Sequence, residues 1–371
     1  MAVDKDRKNA YLWYSGATDL TGKTLAEALE MKHGRDKPNL KDVCMVVGWG
    51  AKTGKAVDLA GVEVMNHPDK IRANRNKLNA LKIMEKAGVA VAPFIDAEEY
   101  TKIGKPGCKV SFPVIGRTNW HQGGKGFWTC PAAVQAHAAA GNGAGYFQQL
   151  IEIKDEFRLH TFGDKVIYAV KKVARSIEDM EDAFIKHETQ RQKDLTEKAG
   201  EKFDAKTMDN VIRRMAKKHA ADGPNMLIRS NRMGWKFVPV AKVDAGLEKV
   251  AVDALKAIGL NFGAVDACTD VNGKHWILEV NTGPGLEGKS LETWAAEFKK
   301  HIDKVLKPVV LAEKIAKVAA KKAAPAKKAV SIKETNSKKS LLDKIALMKE
   351  MTEAADEQEA GVLLNVFKKM M

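Results

Sequence analysis

A chain of 371 residues is long enough for two or three packed lobes with ample core. Its apolar content of 45% suits a globular protein, and no apolar run approaches the ~18 residues of a membrane span. The formal charge of +15 raises a nucleic-acid reading, which depends on where that charge lies. The opening MAVDKDRKN is charged and has no apolar signal core. Cys44, Cys108, Cys130 and Cys268 show no paired C-x-x-C spacing. Both features lead to the expectation of a reduced, cytoplasmic protein without a membrane partner.

In chain order, residues 10–15 (AYLWYS) read as a strand, followed by a helix over Thr24–Met31. Between them, Gly16–Thr24 (GATDLTGKT) is one residue longer than the phosphate loop G-x-x-x-x-G-K-[ST]. The extra residue would break the convergence of backbone N–H groups on a phosphate, so Thr18, Asp19 and Thr21 are assigned to the turn and helix cap. A second strand is expected over Asp42–Val47, ending in GWG, and a third over Val62–Met65. This alternation predicts a small open α/β lobe over residues 1–75.

Apolar spacing predicts a helix from Lys77 to Ala87, stopped by Gly88 at the C′ position. Residues 110–130 read as strand, glycine-rich loop and strand, with Gln122–Gly126 as the loop. Gly123, Gly124 and Gly126 would let the backbone approach phosphate oxygens, and Lys125 adds charge. Taken alone, this loop equally suits a plain hairpin turn. Residues 145–175 read as a strand and then a hairpin turning at Gly163-Asp164, with alternation through Val166, Tyr168 and Val170. Ser176–Pro224 is charged and helix-forming, with a break near Ala199-Gly200. It is expected to be an inserted helical hairpin, either a lid or partner surface or a solvated spacer. Amphipathic helices are expected over Leu247–Ile258 and Leu291–Leu306.

Between these helices lies Asn261–Gly288, NFGAVDACTDVNGKHWILEVNTGPGLEG. Two apolar runs, Gly263–Cys268 and Trp276–Val280, flank the tetrad Asp270–Gly273, predicting a hairpin with an Asn-Gly turn. Glu279 and Asn281, two apart on one strand, project to the same face, and pairing across the hairpin can bring Asp266 beside them. Three hard oxygen donors without thiol or imidazole suit Mg²⁺ better than zinc, with Mn²⁺ an alternative. The plainer account leaves these residues facing water, at odds with a carboxylate set inside an apolar strand.

Beyond residue 300 the composition changes. From His301 to Ser340 there are 11 Lys against Asp303, Glu313 and Glu334, an excess of +8. This Lys/Ala-rich stretch reads as a flexible or partly helical linker over 301–340. It moves any nucleic-acid contact from the main function to an accessory one. Leu341–Met371 regains a helical pattern and could dock on the core or on a partner.

Asp266 followed by ILEVNTGPGLEG resembles the metal-binding end of an ATP-grasp ligase, nearest the RimK-like branch that adds glutamate to protein or peptide termini. Upstream segments resemble the same family in order, over about 60–300, including Lys77 with its "aGv-x-x-P" ending, Gln148–Ile151, the E-x-R-x-H of 156–160 and IRSNRMGW at 228–235. Similar N-K-L-x-A-L and E-F-R-x-H segments occur in proteins of tailed bacteriophages, whose setting would be the host cytoplasm.

The resemblance implies an α/β (α+β) ATP-grasp fold with a small N-terminal α/β lobe, a helical insertion and a helical C-terminal extension. The ATP-grasp domain would span 76–300, with the insertion at about 176–224 and a C-terminal helix at 341–371. It further implies that Lys77, Arg117 and Gly123, Gly124, Lys125 and Gly126 hold ATP phosphates. Arg117 stands where the family usually has Lys. Gln149, Leu150 and Ile151 would meet adenine, and Glu156 and Asn231 would complete the nucleotide site. Asp266, Glu279 and Asn281 would hold Mg²⁺, and Arg229 and Arg158 would act on the transferring phosphoryl group. The implied activity joins a carboxylate and an amine through an acylphosphate, on an amino acid, peptide or protein. An ATP-dependent phosphotransferase and a non-catalytic ATP-binding protein are the other two readings.

Overall fold

The computed structural model describes residues 7–16, 19–120, 126–200 and 204–323. The chain forms two compact units, the first from residues 1–73, 259–263 and 281–371, the second from 74–258 and 264–280.

The first unit is built on a parallel sheet. Its strands β1 (Ala10–Tyr14), β2 (Lys32–Gly34), β3 (Met45–Trp49) and β4 (Glu63–Met65) lie in the order β2-β1-β3-β4. All five residues of β3 are buried, as a strand covered on both faces requires. Gly48 is obligatory there, since a Cβ would fall 2.2 Å from the Asn66 carbonyl oxygen. Helix α1 (Leu20–Ala28) begins before the expected Thr24 because Asp19 caps it, accepting from the Gly22 N–H at 2.9 Å. The short β2 and the helix α2 (Pro68–Arg75) carry no clear periodic signal and were not expected. Asn66 and Asn261 exchange hydrogen bonds at 2.7 Å, stitching Asn261-Phe262 to the end of β4. Trp49, Phe262, Trp294 and Phe298 form the aromatic core, with Trp294 and Phe298 on the long helix α8 (Lys289–Ala323). The first part of the expected linker is therefore helical, in keeping with its Ala and Lys content. Residues 324–371, including the expected C-terminal helix, lie outside the described residues.

The second unit starts with α3 (Lys77–Lys86), capped by Asn76 and ended at Gly88 with φ +77°. An antiparallel sheet follows, β5 (Phe94–Asp96), β6 (Val114–Arg117), β7 (Phe127–Cys130) and β8 (Tyr146–Gln149), ordered β5-β8-β6-β7. Helix α4 (Ala133–Gly141) covers it, and Val114, Ala136, Ala139 and Phe147 form its core. The larger sheet contains β9 (Ile153–Phe162), β10 (Lys165–Ala174), β11 (Trp235–Pro239), β12 (Phe262–Asp270) and β13 (His275–Asn281) in the order β11-β10-β9-β12-β13. Between β10 and β11, α5 (Ile177–Lys198) and α6 (Ala205–Ala220) pack on each other, giving the expected helical hairpin. Its break falls at Gly200, φ +73°.

Helix α7 (Ala245–Ile258) packs against β9, β10 and α3. The β12–β13 turn at Asn272-Gly273 closes with Gly273 at φ +82°. Asp270 collects the Asn272 and Lys274 N–H groups, both at 2.9 Å, so it is a turn-former. His275 bridges Thr269 and Asp244, each at 3.0 Å, which anchors the hairpin to the N-terminal cap of α7. No described helix is long and apolar enough to cross a membrane.

Candidate active site

Glu156, Arg158 and His160 alternate along β9 and so share one face. The pairing of Arg158 with Val170, His160 with Tyr168 and Lys172 with Phe237 continues that face across β10 and β11. The opposite face carries the buried Leu159 and Ala169, and α7 packs against both β9 and β10.

Three ion pairs lie on the face that carries Arg158. Arg158 binds Asp266 of β12 in a bidentate pair, Nε to Oδ1 at 2.7 Å and Nη2 to Oδ2 at 2.9 Å. Lys172 pairs with Glu156, both nearly buried. Lys77 Nζ, at the start of α3, lies 3.2 Å from Glu279 Oε2 on β13. Arg229 enters from the segment before β11, where Nη2 donates to the Ile153 carbonyl at 2.8 Å. Lys77, Arg158, Lys172 and Arg229 thus gather beside Glu279, Asp266 and Glu156, a charged cluster to which an anion is attracted.

Ionisation follows the burial. The Glu156 carboxyl is pushed up by burial, an effect tempered by Lys172 and Arg229 and reinforced by Asp266. Burial alone would lower Arg158, but Asp266, Glu279 and Glu156 outweigh it and shift the guanidinium upwards. His160 is pulled down to about 4 by burial and by Arg158, so it is neutral at physiological pH. Burial, with Glu156 next, raises the Cys268 thiol to about 12, which removes it as a nucleophile.

The other expected site residues distribute as follows. Arg117 ends β6, its guanidinium carbon 5.3 Å from the centre of the Phe127 ring. Tyr146, directly opposite Arg117, feels both Arg117 and Glu279 while burial raises it to about 12. At the expected adenine hinge the Gln149 N–H donates to the Pro93 carbonyl at 2.7 Å and the Leu150 N–H to Pro113 at 3.2 Å. The Gln149 side chain holds Ser111 and Pro113. Asn231 is exposed at the start of a short 3-10 turn, Asn231–Met233. Gly126 is described, at φ +59°, whereas Gly123, Gly124 and Lys125 lie outside the described residues.

Lys172, Trp235 and Phe237 also belong to the site, and no local sequence pattern marks them as site residues. Lys171-Lys172 on a strand sends one lysine to each face, and only the register identifies Lys172 as the inward one. Lys171 pairs instead with Asp155 at 2.7 Å on the opposite face.

Whether this site could hold magnesium depends on its donors. Glu279 and Asn281 sit two apart on β13, Glu279 with a side chain 30% exposed, and offer hard oxygen atoms. Asp266 has both carboxylate oxygens on Arg158. Among the described residues no group of three His, Cys, Asp or Glu side chains is placed to hold a metal ion. The fit to magnesium is therefore that of two carboxylates and one carboxamide, with Asp266 primarily the anchor of Arg158.

No family model matches the chain. A D-alanine–D-alanine ligase of Marinomonas sp. (strain MWYL1) is 42% identical over 53 residues, 14% of this chain. The matched segment spans 17% of that relative's length. The crystal structure of an N5-carboxyaminoimidazole synthetase from Staphylococcus aureus complexed with ADP aligns at a TM-score of 0.50 and 14% identity, covering 76% of this chain and 72% of that one. An ATP-grasp ligase, PsnB, complexed with a minimal precursor aligns at 0.47 and 12% identity, covering 79% and 99%. The two antiparallel sheets and the likeness to the synthetase give the chain an ATP-grasp fold, with the α5–α6 pair inserted into it.

Proposed function

We propose that this chain is an ADP-forming carboxylate–amine ligase of the RimK-like branch, acting on an amino acid, peptide or protein carboxylate. The observation that supports this most is the face on which Lys77–Glu279, Arg158–Asp266 and Lys172–Glu156 meet Arg229. Such a face provides preorganised charge for a transferring phosphoryl group, and charge placement is where catalysis of that transfer chiefly lies.

In this reading Lys77, Arg117 and the 122–126 loop hold the phosphates. The adenine edge falls to the backbone of Ile151 and the carbonyl side of Gln149, because the Gln149 and Leu150 N–H groups already point to prolines. Glu279 and Asn281 would hold Mg²⁺, which would draw charge from the phosphates, while Asp266 keeps Arg158 in place. A carboxylate oxygen of the acceptor attacks the γ-phosphorus, and ADP leaves. The amine nitrogen then attacks the acyl carbon, phosphate leaves with the former carboxylate oxygen, and the amine proton passes to solvent. Asp266 takes two of Arg158's five N–H donors, so three remain for the acyl or phosphoryl oxygens. Arg229 stabilises the charge gathering in the transition state.

The test uses MgATP, ¹⁸O-labelled carboxylates from a lysate metabolite and peptide pool, and hydroxylamine as the amine. A ligase yields ADP, ¹⁸O-phosphate and a hydroxamate. Arg229→Ala should lower both ADP release and hydroxamate formation by about 10²–10³-fold. A stable phosphorylated product that resists hydroxylamine would instead identify a phosphotransferase, and AMP with pyrophosphate would exclude the acylphosphate route.

A further inference from the structure

The two arginines of this face share a feature that none of their charged partners supplies. Arg158 places its guanidinium carbon 4.8 Å from the centre of the Phe237 ring. Arg229 places its own 4.7 Å from the Trp235 ring. Trp235 and Phe237 are alternate residues of β11 and therefore share a face. β11 is the outer strand of the large sheet. The register sets Phe237 opposite Lys172, whose ammonium lies 5.7 Å from the same ring.

The two rings are held differently. Trp235 is 6% exposed and fixed by its indole N–H, which donates to the Asn225 carbonyl at 2.8 Å. Its backbone N–H donates to the Ser230 carbonyl at 3.2 Å, which folds the Arg229 segment back over the ring. Phe237 is 39% exposed and has no polar tether, so burial does not explain an aromatic ring at this position. A planar guanidinium stacks on a ring face in a way that lysine cannot, and stacking fixes its plane while its N–H edge stays available. Asp266 holds Arg158 through two N–H groups, and the Phe237 ring lies against the guanidinium.

We propose that Trp235 and Phe237 are positioning residues, an aromatic rail on β11 that aims Arg229 and Arg158 at the terminal phosphate of the bound nucleotide. This rests on the nucleotide placement proposed above. The rail acts only through the arginines, so its loss should weaken interactions with the γ-phosphate and spare those with adenosine and the β-phosphate.

The test is calorimetric titration of the full-length protein with Mg·AMPPNP and with Mg·ADP. For the wild type, the triphosphate analogue should bind more tightly than ADP. Phe237→Leu should reduce that ratio about five-fold with ADP affinity unchanged, the magnitude expected of one partly exposed cation–π contact. Phe237→Tyr should restore it, and Trp235→Phe, which keeps a ring in the buried slot, should retain most of it. Unchanged ADP binding in the same titration reports an intact fold. A Phe237→Leu protein that keeps the wild-type ratio overturns the positioning role and leaves the nucleotide placement standing. A wild type that binds both nucleotides equally overturns the arginine placement itself, and the rail with it.

Discussion

Arg158 and Asp266 close a two-point pair between β9 and β12, at 2.7 and 2.9 Å, with the Asp266 side chain 6% exposed. Each carries a charge that neither could afford to leave unmatched at that depth. The pair also explains why a carboxylate that reads as a metal ligand is first of all the partner of an arginine.

Asp266→Asn should therefore act on stability as well as on activity. Breaking a buried ion pair by removing one member costs about 3–5 kcal/mol. Urea unfolding should show a loss of that size, reduced somewhat because Arg158 keeps 22% of its side chain exposed. Asp266→Asn/Arg158→Met, which removes both charges, should recover part of it. A double variant no more stable than Asp266→Asn alone would count against the pair as the source of the loss.

Glu279→Gln combined with Asn281→Ala should abolish Mg²⁺-dependent ATP turnover and leave the circular dichroism spectrum unchanged. Both residues end a strand whose apolar members Ile277 and Val280 do the packing. Retained turnover at saturating Mg²⁺ would remove these two residues from the metal assignment.

His160 predicts a pH dependence of stability. Its folded pKa, about 4, is depressed below the ordinary 6.5 by burial and by Arg158. The unfolded chain therefore binds the proton more readily, so stability is fully present above pH ~6.5 and is lost as pH falls towards ~4. The full loss is on the order of 3 kcal/mol. Thermal unfolding scanned from pH 7.5 to 4 should show this decline, and His160→Gln should flatten it. An equally steep decline in that variant would assign the effect to other groups.

The charged tail offers a separable test. Val305 and Leu306 are buried residues of α8, so truncation after Leu306 spares that packing. The shortened protein should bind MgATP as the full chain does. Any DNA or RNA affinity should fall, with a shallower salt dependence, since phosphate contacts give log K a slope of about −0.9 per neutralised phosphate. Undiminished binding would shift attention to Arg213, Arg214, Lys217 and Lys218 on α6.

Much of this protein is determined locally, and local features are what the sequence displays. The Asn-Gly turn of the β12–β13 hairpin, the Gly88 stop of α3, the Gly163 turn and the paired helices α5 and α6 each follow from short-range periodicity and φ preferences. So does the common strand of Glu279 and Asn281, because side-chain alternation needs no tertiary information. Which charges meet is another matter. Lys77 reaches Glu279, Arg158 reaches Asp266 and Lys172 reaches Glu156 through strand order and register. A shift of one residue in the β9–β10 pairing would exchange Lys172 for Lys171. Phe237 carries no motif and Trp235 only closes the IRSNRMGW segment, and neither reads as more than an aromatic of a short strand until β11 docks beside β10 and sets them over two arginines. Local spacing and alternation account for the elements and for the charged residues they present. Their pairing, and the choice of aromatic rings that hold the arginines in place, come from strand order and register, because those contacts join residues far apart in the chain.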